Sequence, residues 1–184
     1  MTPEPVLETT RLTLRRLTLC DLDDLARFYA DPVVMRFYPS VRTREESERN
    51  LRWIITQYDA HPGAGLWAAV HKQDKRFLGR CGLIPQHVDG VEDMEVGYLL
   101  DKAVWNRGLA TEAAQAIRDY AFRAFANVPR LISIIHPDNT ASQRVAEKNG
   151  MAHVTNAPFS GFNCRIYAIE RGTWLGLSSG EGAS

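Results

Sequence analysis

The sequence predicts an α+β domain, a mixed and mostly antiparallel central sheet of about seven strands with helices on both faces. Three observations predict it. Segments with strand-like apolar alternation recur along the chain. Two Thr-x-x-acid signatures open helices in the first third. A strand–helix–strand–helix run in the second half calls for a parallel crossover among hairpins.

In chain order, residues 8–17 alternate Leu12 and Leu14 with Arg and Thr, the period of a half-buried strand. Thr18 with Asp21 forms a capping box for a helix running to Ala30, which Pro32 interrupts. Thr43 with Glu46 opens a second helix, whose Leu51, Ile54, Ile55 and Tyr58 share one face. Residues 66–71 and 76–84 read as a hairpin over a polar turn. A loop is expected at 86–93 and a strand at 94–100. A long helix spans 107–125 and a buried β-branched strand 131–135. A helix at 139–149 stops at Gly150, the residue type best suited to a left-handed C-cap. Strands at 151–155 and 165–170 complete the pattern. One domain is expected over residues 6–175, with flexible termini at 1–5 and 176–184.

Composition narrows the function classes. Lys plus Arg and Asp plus Glu number 22 each, so no global charge favours nucleic acid or an anionic membrane. No apolar run approaches the roughly 20 residues that span a bilayer. The N-terminus lacks the basic-then-apolar order of a secretory signal, so a cytoplasmic protein is expected. Cys20, Cys81 and Cys164 have no CxxC spacing and read as reduced thiols serving as small core residues. The five histidines show no ligand spacing, so no metal is expected. Neither a Ser-His-Asp nor a Cys-His signature is present.

The segment with the most chemistry runs from Glu95 to Ala113. Here a strand leads through a short loop into a helix beginning Arg107-Gly108-Leu109-Ala110-Thr111. The first N–H groups of a helix have no partner within it, and the helix dipole makes that end partly positive. Gly108 and Ala110 leave room for a diphosphate to reach those amides, and Arg107 and Thr111 add donors. Simple packing accounts for small residues at a helix start equally well. No GxxxxGK[ST] loop exists. The GxGxxA match at residues 63–68 precedes a strand rather than following one, and is set aside.

Residues 98–113 (YLLDKAVWNRGLATEA) resemble the pyrophosphate loop and helix of the GNAT N-acetyltransferases. The similarity is strongest to the RimJ/RimL-like branch of ribosomal-protein N-terminal acetyltransferases. Residues 139–151 resemble that branch's N-x-x-S-x-R-x-x-E-K-x-G helix, and the opening LETTRLTLR with Asp31-Pro32 and Met35 is a third match. The three lie in family order and cover about residues 6–175. The resemblance implies the GNAT, or acyl-CoA N-acyltransferase, fold and an acetyl-CoA cosubstrate. It places the pantetheine arm between two splayed strands, at Leu99 and Leu100 opposite residues 131–135. The phosphates fall on Arg107, Gly108, Leu109, Ala110 and Thr111. Asn139 and Ser142 are implied as further cofactor contacts.

Amine acetylation needs a neutral nitrogen, and α-amines and lysines have pKa values of about 8 and 10.4. Glu95 is the candidate base, being a carboxylate amid strand-forming residues where the family's E-x-G-Y pattern also has one. An outward-facing strand Glu or an ion pair is the structural alternative. The family's usual Tyr acid is missing from the 139–149 helix, which leaves Ser142 to assist thiolate departure. Asn139 suits an N-cap as well as a cofactor contact. Phe37, Tyr38, Trp53 and Trp67 are candidates for an acceptor pocket or for core. Arg144 and Lys148 suit either phosphate contact or solvent. Glu92 and Asp93 suit either a cationic amine or a solvated loop.

The expected activity is therefore acetyl transfer from acetyl-CoA to a primary amine, on a protein N-terminus or a small molecule, by direct attack on the thioester. The alternative is a non-catalytic acyl-CoA-binding sensor or interaction module of the same fold. The partners expected are acetyl-CoA and an amine acceptor, with neither nucleic acid nor membrane, and a homodimer is left open.

Overall fold

A computed structural model describes residues 3–180. Eight strands form one sheet: β1 (Pro5–Glu8), β2 (Leu12–Arg16), β3 (Gly65–His71), β4 (Phe77–Val88), β5 (Val91–Leu100), β6 (Arg130–Ile135), β7 (Ala152–Phe159) and β8 (Phe162–Glu170). Their order across the sheet is β1-β2-β3-β4-β5-β6-β8-β7, and only the β5–β6 pairing is parallel. Five α-helices accompany them: α1 (Leu22–Ala30), α2 (Arg44–Ala60), α3 (Leu109–Ala124), α4 (Thr140–Lys148) and α5 (Arg171–Gly180). The predicted α+β class holds.

Register assigns the faces. Trp67, Cys81 and Tyr98 lie side by side across β3, β4 and β5. Trp67 packs edge-on against Tyr120 of α3, so this face belongs to α3. Ala68, Arg80 and Leu99 point the other way. There Arg80 meets Tyr29 of α1, and the Tyr58 hydroxyl of α2 donates to the Leu66 carbonyl. One apolar cluster on the two faces, from Leu12 and Leu14 to Ile117 and Phe122, supplies most of the burial.

The local capping chemistry appears as read. The Thr43 N–H donates to Glu46 Oε2 at 2.8 Å, and the Glu46 N–H donates back to Thr43 Oγ1 at 3.2 Å. The Thr18–Asp21 box is also present, but it closes a short 3₁₀ turn from which α1 then begins. Asp21 is shared with Arg15, whose guanidinium approaches to 2.6 Å.

Several expectations are corrected. The strand expected at 8–17 is two strands. The Thr9 N–H donates to the Leu12 carbonyl and the Leu12 N–H to Thr9 Oγ1, both at 2.9 Å, and these bonds turn the chain between β1 and β2. The loop expected at 86–93 is absent. β4 continues to Val88, and Asp89-Gly90, both at positive φ, reverses the chain directly into β5. Ser160-Gly161 does the same between β7 and β8, which extends both beyond their predicted ends. Helix α5 was not anticipated. Arg171 donates to the carbonyls of Phe122, Phe125 and Val128, and Trp174 stacks on Phe122 at 5.1 Å. Those contacts give helical order through Gly180, inside the stretch expected to be a flexible terminus. Residues 1–2 and 181–184 of the expected flexible ends lie outside the described residues. Cys20 is exposed, unlike Cys81 and Cys164, because it sits on the turn ahead of α1. No helix among the described residues is long and apolar enough to cross a membrane.

Candidate active site

The parallel pair β5–β6 is short. Met94 and Glu95 register with Leu131 and Ile132, and pairing stops there. Past that point the Ser133 hydroxyl donates to the Val96 carbonyl at 2.8 Å, where a continuing ladder would have used a backbone amide. From Gly97 to Leu100, β5 therefore keeps its β4 partner but has no strand pairing toward β6. The two strands open like a fork whose mouth faces the start of α3.

A cavity of about 430 Å³ adjoins the unpaired end of β5, and no β6 residue lines it. Tyr98, Leu99 and Leu100 line it from β5, Gly108 through Thr111 from α3, and Asn139, Ser142, Arg144 and Lys148 from α4. Phe37, Tyr38 and Trp105 close it from above. Gly108 is the N-cap of α3 with φ of 75°, a left-handed conformation that favours glycine. A Cβ added there would meet nothing nearer than Arg11 Nη2 at 3.5 Å. Gly108 thus borders open space, and the first-turn amides of α3 are accessible from the cavity. That is the geometry a diphosphate needs.

The α3 N-terminus is pinned from the turn between β1 and β2. Glu112 accepts hydrogen bonds from the Thr9 hydroxyl at 2.6 Å, from the Arg11 N–H at 2.8 Å and from Arg11 Nε at 2.6 Å. Burial pushes the Glu112 carboxyl up, but these bonds outweigh it and hold it below the ordinary value. Arg11 Nη1 also donates to the Arg107 carbonyl at 2.9 Å. The Arg107 side chain is exposed and does not line the cavity. Arg11 is the cation built into this corner, and its contact with position 112 could not be read from local sequence.

On α4, Asn139 Oδ1 accepts from the Ser142 N–H at 3.1 Å, so Asn139 caps the helix while facing the cavity. The Tyr98 hydroxyl donates to the Ser142 carbonyl at 3.3 Å, which ties α4 to β5. Burial pushes the Tyr98 phenol well up, so it stays protonated at neutral pH.

Glu95 lies at the base of the fork, and its register places it on the α1 face, opposite the α3 face that carries Tyr98. Gln86 Nε2 donates to Glu95 Oε2 at 2.8 Å. Burial raises the carboxyl above its ordinary value. The Gln86 bond, the positive Arg80 and the Ile134 N–H offset only part of that rise. A Cβ at Gly97, two residues on and on the same face, would stand 3.2 Å from Ile84 Cδ1 and in ordinary contact with Glu95 Oε1 at 3.6 Å, so it is Ile84 that such a side chain would crowd. The structure therefore sets Glu95 and Ser142 on opposite faces, with the open part of the β5–β6 fork between them.

A raised carboxyl has a consequence for stability. Between the ordinary carboxylate pKa and the raised one, the folded chain binds more protons than the unfolded chain, so this group costs stability as pH rises through that window. Glu95→Gln removes the cost. Its melting temperature relative to the parent is expected to increase from pH 5 to pH 8, and a pH-independent difference would contradict the burial of an ionised Glu95.

Of the remaining candidates, Phe37 and Tyr38 line the cavity, Trp67 is core at 1% exposure, and Trp53 lies on the surface at 51%. Asp93 is held in a two-pronged pair with Arg130 at 2.6 and 2.8 Å, and Glu92 is exposed. Among the described residues no cluster of three or more His, Cys, Asp or Glu is arranged to hold a metal.

Comparison with known proteins decides the family. The family model described as an acetyltransferase (GNAT) domain matches residues 11–152. The chain belongs to the GNAT acetyltransferases. It is 35% identical over 156 residues to the uncharacterized protein YkkB of Bacillus subtilis (strain 168), covering 82% of this chain and 87% of that one. Among solved structures, an acetyltransferase from Agrobacterium tumefaciens str. C58 superposes with a TM-score of 0.77 at 28% identity, covering 89% of this chain and 93% of the other. RimL, a ribosomal L7/L12 α-N-protein acetyltransferase solved with coenzyme A, gives 0.74 at 18% identity over 91% and 98%, a likeness of fold. This GNAT chain is thus an N-acetyltransferase of the RimL-like architecture. The fork between β5 and β6 and the glycine-capped start of α3 are the parts on which its chemistry can be built.

Proposed function

We propose that this acetyltransferase moves an acetyl group from acetyl-CoA to a primary amine by direct attack on the thioester. The observation that carries the reading is the fork. It leaves β5 backbone unpaired between the cavity at the start of α3, read here as a diphosphate cradle, and the half-buried Glu95 carboxylate on the opposite face, which does not itself line that cavity.

In this reading, the amides of residues 108–111 and the Thr111 hydroxyl hold the diphosphate, with Asn139 and Ser142 beside it. Acetyl-CoA supplies the activated acyl carbon. Backbone of Leu99 and Leu100, unpaired toward β6, aligns the pantetheine arm and offers an N–H to the developing oxyanion. The amine arrives from the α1 face and Glu95 takes its proton directly or through water. Its raised pKa makes it a stronger base once ionised. The new N–C bond forms, the C–S bond breaks, and the departing thiolate takes a proton from the Ser142 hydroxyl on the α4 side, which solvent water then reprotonates. Fit to the cosubstrate rests on Gly108, whose missing side chain leaves the cradle open. RimL, a fold neighbour, is itself solved with coenzyme A.

Purified protein with acetyl-CoA and a panel of amines, read by release of free thiol, tests this. Amine-dependent release is expected. Stabilisation by CoA without release from any amine would favour an acyl-CoA-binding module and contradict catalysis.

A further inference from the structure

On β4 stands a guanidinium for which acetyl transfer alone has no use. Arg80 is only 9% exposed, a burial that arginine rarely reaches without a carboxylate partner. Its Nε donates to the Tyr29 hydroxyl at 2.6 Å, and the group lies 5.7 Å from that ring's centre. Among the described residues Arg80 forms no ion pair, and neither Nη1 nor Nη2 has a hydrogen-bond acceptor. A guanidinium keeps its charge even when buried. Two of its donor-bearing nitrogens are therefore held ready with nothing to bind.

Register shows what they face. Arg80, Gly82 and Ile84 of β4 lie opposite Leu99, Gly97 and Glu95 of β5, all on the α1 face. Between them lies the Gly82–Gly97 pair, where Gly82 is buried with the Gly65 carbonyl 2.0 Å from the point a Cβ would occupy, and Ile84 Cδ1 stands 3.2 Å from the same point at Gly97. Four strand residues span about 13 Å, and Arg80 and Glu95 do not pair across it. Arg42 stacks on the other ring contact of Tyr29, 4.8 Å from its centre, and is likewise without an ion pair among the described residues. Tyr38 senses both Arg80 and Glu95, and with Leu99 it also lines the cavity. Through Tyr38 and Leu99 this face of β4 and β5 borders the cavity to which the acetyl-transfer reading assigns the thioester.

We propose that the acceptor is an amine bearing a carboxylate, with the carboxylate received by Arg80 Nη1 and Nη2 and the amine presented to Glu95. The inference rests on the acetyl-transfer reading above and names the substrate class for it. Two sources share this chemistry: a free amino acid, and a peptide N-terminus whose first side chain is acidic.

The test compares matched acceptors on the parent protein by thiol release. One arm sets amino acids against their carboxamides; the other sets peptide amides beginning with Asp or Glu against those beginning with Asn or Gln. In at least one arm, kcat/KM for the carboxylate member is expected to exceed its neutral partner by at least about tenfold, as for a charge-assisted hydrogen bond. The arm that responds names the source. Arg80→Met should collapse that ratio toward one through KM, and Arg80→Lys should restore part of it. Because a buried substitution can unfold the chain, the comparison on the parent protein decides first. Equal rates, or faster neutral acceptors, in both arms would overturn the inference while leaving acetyl transfer intact. Absence of thiol release from every amine would instead overturn the acetyl-transfer reading.

Discussion

Glu95→Gln is expected to lower kcat by about 10²- to 10⁴-fold, the usual contribution of a positioned general base. The substitution keeps the shape of the side chain and its contact with Gln86 while removing the ability to accept a proton. The pH dependence separates a catalytic role from a structural one. Burial raises the Glu95 carboxyl, so the parent's rate should climb as this group ionises above the ordinary carboxylate range. The variant lacks that step. Its deficit should be widest between the Glu95 pKa and that of the acceptor, about 8 for an α-amine or 10.4 for a lysine, and should narrow as the amine deprotonates unaided. An equal rate across that range would remove Glu95 as the base and leave it an internal carboxylate.

The second large effect is expected at Gly108. Its φ of 75° penalises most side chains, but asparagine tolerates the left-handed region. The space about its missing Cβ is open except for Arg11 Nη2 at 3.5 Å. Gly108→Asn should therefore fold with little change in melting temperature. Its side chain would stand where the diphosphate must approach the α3 amides. Loss of one charge-assisted hydrogen bond of roughly 1.5–3 kcal/mol would weaken CoA binding at least about tenfold. Equilibrium titration of the variant checks this, with the thermal melt as a control for folding. An unchanged affinity would mean that the anion is held elsewhere.

What was legible beforehand depended on the range of the interaction. The Thr43–Glu46 box, the Asn139 cap and the small residues at the start of α3 are decided within one helical turn, and each appears where local chemistry placed it. The α+β class followed from strand periodicity, two helix-capping signatures and the strand–helix–strand–helix run. The GNAT family followed from three motifs read in order. Asp89-Gly90 carried a clear hairpin signal that the acidic surroundings disguised as a loop, and the expected loop at 86–93 was lost with it. Helix α5 depends on Arg171 reaching carbonyls more than forty positions earlier, which no window along the chain reveals.

The site shows the same division. Leu99, Leu100, Gly108, Ala110, Asn139 and Ser142 meet in one cavity, as the motifs implied. The Arg107 side chain stays outside it, because its loop is fixed by Arg11 through the backbone carbonyl. Arg80, Tyr29 and Tyr38 were unremarkable in sequence as a group. Arg80 and Tyr29 lie 51 positions apart, and only the strand register shows that an unpaired guanidinium shares a sheet face with Glu95.

The central claim, that main-chain donors at the start of α3 grip the diphosphate of CoA, is tested most directly by calorimetry of the parent protein with two ligands. CoA should bind with measurable heat, and pantetheine, which has the same arm but no diphosphate, should bind at least about a hundredfold more weakly, as expected for the loss of two charge-assisted hydrogen bonds. Equal affinity for the two ligands, or no heat with CoA, would contradict the account.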